Sequence, residues 1–351
     1  MSSDVMGGVA IRAVELLRSQ RRKGKRRAGL ICAALGILTI GLLAVDILLG
    51  SFTVTIPDFF AMLFGKTIPG ASFIVMENKF PRALLALLVG AAFGVSGSIF
   101  QTLLRNPLAS PDIIGISSGA SASAVAAIVF FAAGGVTVSL IAIVGAVLIA
   151  LLVVLLAGKN SGGRLILIGL GVAAMMNAFV TFVMQRAEVN RAQDAMVWLM
   201  GSLNSANWER VGALALGFAV LLPFVLLLAS RLSALQLGED AASGLGIRVG
   251  RTRIWLIVVG VTLAALATAA AGPVAFVAFL SGPIARRLLG GRVSLLASAL
   301  VGASIVLAAD YIAAYLIPGG IALPVGVVTG AMGAPFLLWL LISSNRQGNG
   351  A

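Results

Sequence analysis

The chain has no histidine and one cysteine, Cys32. An intramolecular disulfide and a cysteine zinc cluster are therefore excluded, and the donor set for holding a bare transition metal is missing. Any metal cargo is expected to arrive inside a chelator. Carboxylates are scarce as well: 12 Asp and Glu stand against 25 Lys and Arg. No two acids lie close together within an apolar run, and no nucleophile has a base beside it, so there is no catalytic constellation. Gly65-Lys66-Thr67 resembles the end of a phosphate-binding loop, but Phe60 stands where that loop needs a glycine. The chain reads as a non-enzyme, with no metal or cofactor bound directly.

What it does have is apolar length. Of 351 residues, 60% are hydrophobic and 11% charged, and the mean hydropathy is +1.09. That composition belongs to a polytopic all-α membrane protein. The windows 83–104, 113–158, 165–185, 211–230, 254–285 and 311–345 carry no charge. A bilayer crossing needs about 20 apolar residues, so several windows hold two crossings. The net charge of +13 is scattered between apolar runs and is not gathered on a soluble domain. It reads as membrane topology and contact with anionic lipid, and nucleic acid is set aside.

Residues 1–27 form a basic tail. The run 28–50 lacks a cleavage pattern and is expected to be a retained first span. Further spans are expected at about 80–104, at two segments of 113–158 divided by Gly134-Gly135, at 165–185 and at 210–230. Two short arms of 254–285 turn at Gly272-Pro273, and spans at 293–314 and 322–343 complete ten helices within residues 28–343. Residues 344–351 form a second tail. With both termini inside, only Lys66, Lys79, Arg82, Arg186, Arg191 and Arg210 fall outside. This bias supports that orientation over its reverse. Residues 51–79 and 186–209, the latter with Trp198 and Trp208, are expected as external segments.

Three stretches carry candidate function. The cytoplasmic segment 231–251 contains Glu239 and Asp240 where a helix begins, which suits the positive end of its dipole. Leu237, Ala241 and Leu245 recur there every four residues and make one small, smooth face. The stretch reads either as a docking helix or as an ordinary acid-capped loop. Span 5 carries Met175, Met176, Asn177 and Phe179, which either fill packing gaps or line a path for a bulky ligand. Asp310 is expected as a solvated cap near the outer end of its span, with an intramembrane ion site as the alternative.

Taken together, Pro81-Arg82, Leu88–Gly97, Arg105-Asn106-Pro107-Leu108, Gly115-Ile116-Ser117, Leu237–Gly246, Ala271-Gly272-Pro273 and Pro324–Gly330 resemble the iron-siderophore and cobalamin permease family of type II ABC importers. The likeness is strongest to the ferric-enterobactin, or catecholate, branch. It implies two permease subunits, identical or similar, around a central path, two ATPase subunits carrying ATP and magnesium, and an external substrate-binding protein. By the same resemblance Leu237, Gly238, Glu239, Asp240, Ala241, Ala242, Leu245 and Gly246 dock on the ATPase, and Lys79 and Arg82 meet acids on the binding protein. Asn160 and Ser161 correspond to a cytoplasmic gate, and span 5 to the path wall. The chain departs from the pattern at Ser281-Gly282-Pro283-Ile284, where relatives often carry a histidine. Cobalamin or haem import by the same family, a proton-coupled transporter using Asp310, and a membrane scaffold stand as alternatives.

Overall fold

The structure is a computed structural model that describes residues 3–158, 162–317 and 322–348. Among them are helices and their connections, with no strand. Helix α1 runs from Ser3 to Leu48, and its apolar part, Gly24–Leu48, is long enough to cross a bilayer. A short α2, Ile56–Leu63, is capped by the Thr55 side chain, which accepts from the Asp58 amide. The next span begins earlier than the apolar window implies. One turn of α3, Ala71–Phe73, passes through a π-helical turn, Ile74–Lys79, directly into α4, Phe80–Leu103. The continuous helix Ala71–Leu103 has 33 residues.

Helix α4 is the post of the fold. It is packed by α13, α11, α12, α9 and α1, and 83% of its apolar window is buried. Its small residues explain how so many neighbours fit. A Cβ on Gly90 would strike the Gly302 backbone, one on Gly94 the Ser298 backbone, and one on Gly97 the Ala278 backbone. Lipid tails are as apolar as leucine, so helices in a membrane associate through such close approach and through interhelical hydrogen bonds. Ser96 supplies one of these bonds, its Oγ donating to the Gly260 carbonyl at 2.7 Å.

After α4 a 3-10 turn, Pro111–Ile114, leads into α5, Ile116–Phe131, and α6, Gly135–Ala157. The break expected at Gly134-Gly135 is therefore present. Helix α7, Gly162–Arg186, is followed by the short α8, Val189–Leu199, and by α9, Trp208–Leu235. Then come α10, Glu239–Gly244, and α11, Val249–Ala271.

The two arms expected in 254–285 are unequal. Helix α11 extends backward into its basic flank to reach 23 residues, because arginine stems can lie along a helix end while their charged heads reach water. The other arm, α12, Val277–Leu288, has only 12 residues, about 18 Å of helix. Residues 272–276 supply the missing depth as non-helical backbone, and Phe276 takes φ 64°. Such backbone is tolerated at membrane depth when protein encloses it. Here Ser202 N donates to the Ala271 carbonyl at 2.7 Å, and Gly326 N to the Gly201 carbonyl at 3.1 Å. Helix α13, Leu295–Tyr311, continues through a second π-helical turn, Ile312–Leu316, and α14 covers Val325–Gly348.

Seven helices are long and apolar enough to cross a membrane, and Ile116–Phe131 and Val325–Trp339 are shorter apolar helices. The eighth expected span falls on the 12-residue α12, which is not among these helices. The turn at Pro318-Gly319-Gly320 lies outside the described residues.

Candidate functional site

The expected outer face of the bundle holds a charge cluster built by three elements. Arg82, on the first turn of α4, reaches Asp310 near the end of α13 with two parallel bonds. Nε donates to Oδ2 at 2.7 Å and Nη2 to Oδ1 at 2.8 Å. Fork-on-carboxylate geometry is the strongest form of this pair. The Asp310 side chain is 3% exposed and that of Arg82 21%. The solvated-cap expectation for Asp310 is thus corrected. The helix continues six residues past it through the π-helical turn, which places the acid inside the packing.

Lys79, in the π-helical turn before α4, is also buried. Its Nζ donates to the carbonyls of Ile47 at 3.2 Å, Phe52 at 2.8 Å and Leu49, which closes the end of α1. A cation on the last carbonyls of a helix suits the negative end of its dipole. Lys79, which the resemblance places against acids of the binding protein, is held within this chain by three carbonyls. Arg82 keeps only an exposed edge. Asp46, at the end of α1, is buried beside them, and neither of its carboxylate oxygens receives a hydrogen bond. The sequence held a signal for this cluster: acids at the outer ends of spans 1 and 9 lie at the same expected depth as two cations opening span 2.

At the opposite end, α10 packs between α9 and α11 through Ala242, which is fully buried. Leu237, Glu239, Asp240, Ala241, Leu245 and Gly246 remain exposed. Glu239 pairs with Arg253 of α11. Gly238 and Gly246, at φ 115° and 79°, bracket the helix in backbone that residues with a Cβ rarely adopt. Leu237 and Leu245 flank the six-residue helix and Ala241 lies on it, all three exposed.

On α7, Met175, Asn177 and Phe179 are exposed and Met176 is half-buried. Asn160 and Ser161 lie outside the described residues. The fold also makes a cleft of about 380 Å³ that sequence spacing does not reveal. It joins Asp112 and Ser117 to Leu199, Met200, Pro273, Gly326 and Val327, so three separated motifs meet there. Ser117 donates to Asp112, and Ser110 donates to the other carboxylate oxygen at 3.5 Å. Protein atoms crowd this carboxyl although its edge reaches the surface. Their desolvation pushes its pKa above the ordinary carboxylate value, against the two hydroxyl donors, which lower it.

Among the described residues no group of three acid or cysteine side chains could hold a metal ion.

Known proteins match this arrangement along most of its length. The FecCD transport family matches residues 37–343. The ferric enterobactin transport system permease protein FepG of Escherichia coli (strain K12) is 42% identical over 301 residues, covering 85% of this chain and 91% of that protein. The achromobactin transport system permease protein CbrC of Dickeya dadantii (strain 3937) is 38% identical over 336 residues, covering 94% and 95%. A solved metal-chelate type ABC transporter in an inward-facing conformation superposes with a TM-score of 0.80. It is 28% identical, and the match covers 90% of this chain and 99% of that one.

Proposed function

Because the chain belongs to the FecCD transport family, we propose that it is the permease subunit that passes an intact ferric siderophore of the catecholate class across the inner membrane. It is a multi-pass permease component of an ABC importer and is not itself catalytic. ATP and magnesium act on two separate ATPase subunits, an external binding protein delivers the chelate, and a second permease subunit completes the path. Both termini lie in the cytoplasm. The single observation that carries the substrate class is the likeness to the ferric enterobactin permease across most of both chains.

The physical step is a population shift. Closure of the ATPases on nucleotide moves α10, seated in them by Leu237, Ala241 and Leu245, and this changes which end of the path is open. The positive-φ glycines at 238 and 246 let the chain turn sharply into and out of the short helix. Met175, Met176, Asn177 and Phe179 form the path wall. An amide left facing lipid would be costly, so the exposure of Asn177 supports a path or a second permease over that face. Asn160 and Ser161 form the gate. The exposed edge of Arg82 is available for contact with the binding protein.

The test is reconstitution of the chain with the second permease, the ATPases and the binding protein in vesicles, offering ferric catecholate, ferric hydroxamate, haem and cobalamin. ATP-dependent uptake of the ferric catecholate is expected. Preference for cobalamin or haem would overturn the substrate class. Uptake driven by a proton gradient without the ATPases would overturn the importer reading.

A further inference from the structure

A cavity of about 330 Å³ lies where the end of α9 meets the start of α11, and it is lined by Arg231, Arg248, Arg251, Thr252 and Trp255. We propose that it binds the phosphate-bearing headgroup of an anionic phospholipid. The ion pairs among the described residues are Arg82–Asp310, Arg191–Glu188 and Arg253–Glu239. None involves the three arginines of the cavity. Three guanidiniums sharing one hollow repel one another until an anion neutralises them, and arginine grips phosphate by two-point hydrogen bonding.

The side chains next to the cavity identify the anion as a lipid. Arg231, Leu227 and Phe224 follow one another at helical spacing on α9, as do Arg251 and Trp255 on α11, with Arg248 just before its first turn. The Phe224 and Trp255 rings stack across the two helices, 6.3 Å apart and 16° from parallel. Phe224, Leu227 and Trp255 are 43%, 68% and 52% exposed. On α9 the stripe runs from exposed Phe224, stacked on Trp255 of α11, through Leu227 to the guanidinium of Arg231, on two helices that are each long and apolar enough to cross a membrane. Acyl chain, glycerol and phosphate follow that same order. An acidic face on a soluble partner would satisfy the arginines but leave the aromatic stripe uncovered. Gly246 forms part of the cavity wall, so an occupied site also braces the connection from α10 to α11.

The inference rests on the membrane placement of α9 and α11 and holds whatever the transported solute. It is tested on the full-length chain in nanodiscs of equal phosphatidylglycerol and phosphatidylcholine with identical acyl chains. Delipidation and native mass spectrometry follow. One phosphatidylglycerol is expected to stay on the wild-type chain. Retention should fall about fivefold in each of R231Q, R248Q and R251Q, the weight of one cation near an anionic surface. W255A should lower it as well. The larger, three-charge loss R21Q/R22Q/K23Q in the tail should leave that lipid in place.

Retention unchanged in all three arginine variants overturns the proposal. So does an equal loss in the tail variant, which would mean diffuse attraction. Displacement of the lipid by millimolar inorganic phosphate or glycerol phosphate would show a soluble-anion site and overturn the lipid assignment. Loss of ATPase co-purification with lipid retention intact would assign the arginines to that protein partner.

Discussion

Arg82 on α4 and Asp310 on α13 grip each other at two points, 2.7 and 2.8 Å, across 228 residues of chain. The same two helices touch lower down through Gly90 against Gly302 and Gly94 against Ser298. A polar clasp thus closes the outer end of an interface that is otherwise bare backbone against bare backbone. The clasp fixes orientation and the glycines fix distance. Neither alone would hold α4 inside its ring of neighbours.

Removing one half of the clasp should therefore cost more than removing both. Asp310→Ala leaves a largely buried guanidinium unpaired and is expected to destabilise the chain by about 3–5 kcal/mol. Arg82→Met with Asp310→Leu should recover much of that loss. Thermal unfolding of the purified chain in detergent decides it, and a double variant less stable than Asp310→Ala would refute the account.

The glycine contacts predict a sharp contrast between positions. Gly97→Val forces a side chain into the Ala278 backbone and should cost at least about 1–3 kcal/mol, the usual range for overpacking. Gly171→Ala on α7, with nothing within 4 Å, should leave stability unchanged. The yield of monodisperse protein on size exclusion reads both.

Substitution at Gly246 separates folding from coupling. Its φ of 79° makes Gly246→Val a local strain of about 1–2 kcal/mol in an exposed connection, so insertion and folded yield should persist. ATP-driven uptake in the reconstituted assembly should fall steeply while hydrolysis by the ATPases continues. Normal uptake by this variant would dismiss α10 as the lever.

Asn177 tests the path wall. It is exposed, so Asn177→Leu should leave the unfolding midpoint where it is. Uptake should drop by up to about tenfold, the worth of one hydrogen bond to cargo or gate. Unchanged uptake would return the residue to a packing role.

Much of this architecture is legible in the residues because it follows from local rules. The break at Gly134-Gly135 comes from turn chemistry, whereas the four-residue period of Leu237, Ala241 and Leu245 overruns α10, which begins only after Gly238 at φ 115°. The small-residue face of α4 marks close packing without naming the partners. What the residues do not show is pairing at a distance. Asp310 looks solvent-facing because the apolar pattern gives no warning that a π-helical turn carries the helix past it. Lys79 looks like a loop cation because helix continues through a polar stretch, Met76–Lys79, where propensity would stop it. The cleft at Asp112 joins segments more than 200 residues apart, and no spacing rule reaches that far.

The position of α4 also bears on how the protein is made. Almost every surface of this helix is covered by segments synthesised after it, and the Asp310 carboxylate that receives Arg82 is among the last parts of the chain to emerge. While translation continues, a glycine-lined helix with an unmatched cation must wait at the insertion machinery. The innermost element is written early and enclosed late, so assembly of this permease depends on its final third.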